Sequence, residues 1–277
     1  VEGAWRAFIR AVKEAPPGSG CMLLGDTFTF ANTRSQKAFQ KAMRDATEDT
    51  EDTLDAFVAQ MMRPERKRLE AIRDRIWGVL KGNHGWRFKD DTTIESRLAD
   101  IIGAPYSDGM FVLALRMQPV VSRTNGAVQC NIVAHHGATG AQTRGGDINS
   151  VIKHCGYFGN AHIIVEGHTH DLYCEPVKPR LVIGNGTVPV LKAIIPWIAR
   201  CGSAKIHFKP GAAQWEETKM FPPSIPGHAE FTIWAERDVS ERRRVNGRWE
   251  GGDRPVVMVE GRAVPYQGRG SLGATEA

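Results

Sequence analysis

Ile163-Ile164-Val165-Glu166-Gly167-His168-Thr169-His170 is the stretch on which the fold turns. A short apolar run reads as a buried strand, and it ends at a glycine followed by two alternating histidines. The same arrangement occurs three times earlier in the chain. Leu23-Leu24 precedes Gly25-Asp26, Gly78-Val79-Leu80 leads to Gly82-Asn83-His84, and Ile132-Val133-Ala134 leads to His135-His136-Gly137. Loops at strand ends are where a layered α/β protein binds ligands, because the sheet fixes their residues in space. Asp, Asn and His offer oxygen and imidazole donors suited to Mn, Fe, Zn or Ni. The glycines let backbone turn sharply beside them.

Around these motifs strands and helices alternate. Trp5, Phe8, Ile9 and Val12 fall at helical spacing and predict an opening helix. Cys21 to Leu24 and Ile76 to Leu80 read as buried strands. Residues 34–75 read as a helical segment divided at Pro64, with a capping box at Thr33 and Gln36 and a solvated charged face. Its removal is expected to leave a metal site measurable. Thr92 and Glu95 form a second capping box, for a helix running to about Ile102. Strands follow near Phe111 to Leu115, Val128 to Ala134 and His162 to Val165, with a helix near Ile148 to Cys155. Beyond Leu172 the pattern is strands and turns, and Asn246-Gly247 marks a hairpin. The class is therefore α/β, a layered β-sandwich flanked by helices. The expected organisation is a main domain over 1–236, a C-terminal hairpin extension over 237–265 and a disordered tail over 266–277.

Composition narrows the function classes. The 277 residues carry a net charge of +5, which suits an anionic substrate. Cys21, Cys130, Cys155, Cys174 and Cys201 are odd in number and form no C-x-x-C pair, so neither a disulfide framework nor a cysteine zinc site is indicated. A reducing, cytoplasmic setting fits them. The most apolar stretch, Leu181 to Ala199, is broken by Asn185, Lys192 and two prolines, which excludes a membrane helix.

The order G-D, G-N-H, H and G-H-x-H over residues 1–190 resembles the calcineurin-like metallophosphoesterase family. The resemblance implies hydrolysis of a phosphomonoester or phosphodiester, nucleotides and nucleic acids included, by attack of a metal-bound hydroxide. It implies two divalent metal ions bridged by Asp26. Asn83, one of His135 and His136, and His168 would complete the second metal, and His170 would join the first. His84 is implied to be catalytic rather than a ligand, stabilising charge or protonating the leaving group. Two cations roughly 3.5–4 Å apart lower the pKa of a shared water and grip the phosphoryl oxygens. Arg87 and Arg144 lie beside the motif loops and are candidate phosphate contacts.

The family's D-x-H motif on its first strand has no counterpart before Asp26, and Gly85 stands where the family often has Glu. The chain as given is thus expected to hold one metal well and to catalyse poorly. Because it opens on a helix and starts with Val, loss of a preceding D-x-H strand is the favoured explanation. The alternative is a non-catalytic one-metal relative acting as a nucleic-acid or protein binding module, to which Arg242-Arg243-Arg244 beside Trp249 would contribute. A metallo-β-lactamase-like reading of His168-Thr169-His170-Asp171 fails, since Leu172 stands where the last histidine should be.

Overall fold

A computed structural model of the chain describes residues 2–27, 48–118, 127–137, 143–184, 190–203, 225–238, 243–245, 248–250 and 254–266. It is a mixed α/β protein with several open sheets. The cap expected at Thr33 and Gln36, the helix over 34–47 and the tail from 267 lie outside these residues.

The first sheet consists of three parallel strands, β1 (Cys21–Leu23), β2 (Ile76–Leu80) and β3 (Tyr106–Ser107). Helices α1 (Glu2–Glu14), α2 (Glu48–Glu70) and α3 (Ile94–Ile102) pack with it. Trp5 and Val12 of the opening stripe are buried with Val58, Met62 and Leu69 of α2 and with Val79 and Leu98. Each such buried side chain contributes roughly 1.5–3 kcal/mol.

Two expectations are corrected here. Pro64 lies inside α2 and does not divide it, since Val58 and Met62 before it and Leu69 after it are buried in one cluster. Tertiary burial outweighs the local cost of a mid-helix proline. The same burial makes α2 part of the first core cluster. Its Asp55 also accepts hydrogen bonds from Trp86 Nε1 at 2.8 Å and Lys89 N at 2.9 Å, which clamps the segment following Asn83 and His84. The second correction concerns α3. Its N-cap is Thr93 paired with Ser96, one residue later than expected, and this turns Glu95 into the interior.

The second sheet is mixed, in the order β4-β5-β6-β10-β7. Its strands are β4 (Met110–Met117), β5 (Val128–His135), β6 (Ile163–Glu166), β7 (Leu172–Pro176) and β10 (Trp197–Cys201). Between β7 and β10 the chain forms a two-stranded ribbon of β8 (Arg180–Gly184) and β9 (Val190–Ile194). β5, β6 and β10 run parallel, and β4 and β7 run antiparallel at the two edges. One face of the sheet buries Val133, Ile164 and Ile198 with Val151 of α4 (Arg144–Tyr157). The other face buries Cys130, Ile132, Ile163 and Val165 against Leu24 of the first sheet's segment.

That second face also receives β11 (Gly227–Asp238) and β14 (Arg254–Pro265) through Phe231, Ile233, Val257 and Val259. These strands pair antiparallel over their whole length, so the boundary expected at 236/237 falls inside β11. The Asn246-Gly247 signal coincides with the pairing of β12 (Arg243–Val245) and β13 (Arg248–Glu250). No described helix is long and apolar enough to cross a membrane.

Candidate metal centre

All four sequence motifs follow the C-terminal ends of parallel strands: β1 and β2 in the first sheet, β5 and β6 in the second. Strand periodicity then decides which of the paired histidines faces inward. Successive strand residues point to opposite faces. His136 continues the parity of Cys130 and Ile132, whose face meets Leu24, whereas His135 shares the parity of Val133 and faces α4.

His136 is accordingly buried against the first sheet's loops. Its Nδ1 lies 2.6 Å from the Leu24 carbonyl oxygen. A carbonyl only accepts, so Nδ1 carries the proton, and Nε2 is left facing the centre. Nε2 stands 3.2 Å from Asn83 Oδ1 and 3.2 Å from Asp26 Oδ2. The His168 ring lies beside it, with centroids 5.3 Å apart. One ligand atom from each of Asp26, His136 and His168 lies within 4.8 Å of the other two. His168 Nδ1 is buried without a hydrogen-bond partner among the described residues. Acceptor oxygens of Asp26 and Asn83 converge with His136 Nε2 beside that orphaned nitrogen, an arrangement that fits a cation when Nε2 gives up its proton.

The backbone at these loops is unusual. Among the described residues, four non-glycine residues have positive φ: Asp26 (49°), Asp91 (64°), His168 (72°) and His170 (62°). Three of the four belong to the motifs. Such conformations cost free energy and persist where surrounding structure enforces them, often at functional sites. Gly82 shows how tight the approach is, since a Cβ there would lie 2.1 Å from both Asp26 N and Asp26 Oδ1.

Electrostatics fit the geometry. Burial alone would raise the Asp26 carboxyl. The hydrogen bond and charge of His136, with the His84 N–H, outweigh it and hold Asp26 below its ordinary value. Burial likewise disfavours charging His136, but its bond to Asp26, that carboxylate's charge and the Leu24 carbonyl lift it above an ordinary imidazole. His168 is lowered, first by burial and then by the charge of His136.

The remaining candidates are distributed as follows. The His84 N–H donates to Asp26 Oδ1 at 2.8 Å, and the charge of its imidazole acts on both Asp26 and His168. His135 is not in the cluster: its Nδ1 accepts from Gly137 N at 2.8 Å and its ring packs edge-on against His154. His170 follows in the same loop but is not in the Asp26–His136–His168 group. The Arg87 guanidinium is exposed and pairs with Asp91 at 3.1 Å. Arg144 opens α4, and its side chain lies outside the described residues.

Three contributors escaped the sequence reading. The Leu24 carbonyl orients His136, as backbone carbonyls often orient metal-ligating imidazoles. Glu95 is fully buried, neither carboxylate oxygen is hydrogen-bonded in good geometry among the described residues, and a Cβ on Gly85 would lie 2.8 Å from its Oε2. Burial is the main cause that pushes Glu95 up to about 7. Its own N–H and that of Gly82 oppose the rise, and the charge of Asp26 adds to it. Arg200 and Glu166 form a buried pair behind the loops at 3.0 Å. A charged residue following an apolar run, as in Ile163-Ile164-Val165-Glu166 and Trp197-Ile198-Ala199-Arg200, is the signal that marks each residue singly, though not their pairing.

Burial pushes Cys21, Cys130 and Cys174 up to about 12 and Cys201 to about 11, so all four stay protonated. No family model matches this chain, and no curated protein matches it.

Proposed function

We propose that the chain is a metal-dependent phosphoesterase of the calcineurin-like kind, with its sheets and helices arranged as the layered α/β sandwich of that family. The convergence of Asp26, Asn83, His136 and His168 from four separate strand-end loops carries the reading. These four are the residues that the resemblance assigns to one metal. The donors gathered among the described residues suffice for one cation. His170 would serve a second one in a complete two-metal centre.

Each residue then has a definite task. Asp26, Asn83, His136 and His168 would hold the cation, with His136 presented through Nε2 because Leu24 fixes Nδ1. His84 fastens Asp26 with its backbone and keeps its imidazole free to donate a proton to a leaving oxygen. A bound divalent cation would supply Lewis-acid charge for phosphoryl oxygens and acidify water. The substrate class is a phosphomonoester or phosphodiester.

The test is metal analysis of the purified protein, followed by hydrolysis of bis(p-nitrophenyl) phosphate and p-nitrophenyl phosphate with Mn, Ni or Zn. Bound metal with chelator-sensitive turnover is the expected result. Protein that takes up none of these ions would overturn the reading. Metal uptake without turnover of either ester would favour the one-metal binding module.

A further inference from the structure

We propose that Arg200 is a positioning residue of the metal centre, fixing the His168 loop against the His136 loop from the opposite face of the five-stranded sheet. The proposal rests on the metal-binding reading above.

β10 inserts between β6 and β7, with Arg200 opposite Glu166 on one side and Tyr173 on the other. Arg200 has the parity of Ile198, so its side chain leaves the sheet on the α4 side, away from the donors. It is fully buried, as is Glu166. Its Nη1 donates to the Gly167 carbonyl oxygen at 2.6 Å and stands 3.0 Å from Glu166 Oε2. Glu166 Oε1 in turn meets His154 Nδ1 from α4. The other loop passes close to the same nitrogen, since a Cβ on Gly137 would lie 2.9 Å from Nη1. The two loops also touch directly, through Gly167 N donating to the His136 carbonyl oxygen at 3.1 Å.

The grip on Gly167 matters because of where that carbonyl sits. It belongs to the peptide plane preceding His168, and the orientation of that plane sets the His168 φ of 72°. A β-substituted residue adopts such a φ only at a cost in free energy. Arg200 holds the plane from behind, and Thr169 N holds the same oxygen at 2.9 Å. A buried ion pair is a weak source of stability compared with an apolar replacement of equal volume. Its value here is geometric, since metal donors must be held within about 0.5 Å of their working positions.

The test compares wild type, Arg200→Lys, the charge-neutral double variant R200M/E166Q and a packing control, Val151→Ala. Val151 lies on α4, is buried in one cluster with Val133, Ile164 and Ile198, and is none of the donors. Circular dichroism and thermal melting report folding, titration calorimetry with Zn reports affinity, and the visible bands of the Co-loaded protein report donor geometry. The double variant is expected to bind Zn about ten- to a hundredfold more weakly, with shifted Co bands. Arg200→Lys keeps the charge but loses the planar fork, and is expected to fall between it and wild type. Val151→Ala is expected to lower the melting temperature with unchanged affinity and bands. Wild-type affinity and bands in either Arg200 variant overturn the proposal, and so does an equal loss of affinity in Val151→Ala. Wild type that binds no metal overturns instead the metal reading on which the proposal stands.

Discussion

The His84 N–H and the Asp26 carboxylate are joined by a 2.8 Å hydrogen bond across 58 residues of sequence. This single contact locks the loop after β2 onto the loop after β1, and it uses the backbone of His84 rather than its ring.

Replacing that ring therefore separates two roles. His84→Ala keeps the N–H and is expected to retain metal while turnover falls by about 10²–10⁴-fold. Metal content by mass spectrometry beside ester hydrolysis checks it, and loss of metal would show that the imidazole is a ligand.

Asn83→Ala and His168→Ala each remove one donor from the cluster. Both variants are expected to fold and to lose the bound ion. Retention of full metal content by both would sink the ligand assignment.

Gly82 tolerates no side chain, because a Cβ would lie 2.1 Å from Asp26 N and Oδ1. Gly82→Ala is expected to cost about 2 kcal/mol or more in urea unfolding and to abolish metal uptake. Gly145→Ala on α4 meets nothing within 4 Å and is expected to stabilise by about 0.5 kcal/mol. Equal effects at the two positions would contradict the packing described.

Glu95 introduces a pH dependence of known sign. Folded, it keeps its proton up to about 7, against an ordinary 4.5, so between these values the folded state binds the proton more tightly than the unfolded state. Its contribution is complete below pH 4.5 and is lost as pH rises through 7. The loss amounts to about 3 kcal/mol by pH 8. In chelator-treated protein, Glu95→Gln is expected to gain stability over wild type as pH rises from 5 to 8. A constant difference across that range would refute the titration.

That the motif residues come together was legible in the sequence because they follow apolar strands and glycines, a local pattern. Asp26, Asn83, His136 and His168 all belong to such motifs. The choice between His135 and His136 was not legible, since it depends on which face of β5 meets the first sheet. Glu95 was masked by a one-residue shift of the cap, because Thr92 with Glu95 and Thr93 with Ser96 are both plausible boxes. The length of α2 was misread at Pro64, where a local penalty is overridden by packing with residues distant in sequence. Arg200 and Glu166 were invisible as partners because sheet order, not chain order, places β10 beside β6.

That sheet order has a consequence for biosynthesis. The strand bearing the Gly167–His170 loop pairs with β5 on one side and acquires its second parallel neighbour only when residues 197–201 have been made. Until then β6 presents an unpaired edge, and the His168 loop lacks the guanidinium behind it. On a ribosome the first three motif loops are therefore made before the fourth can settle against β10.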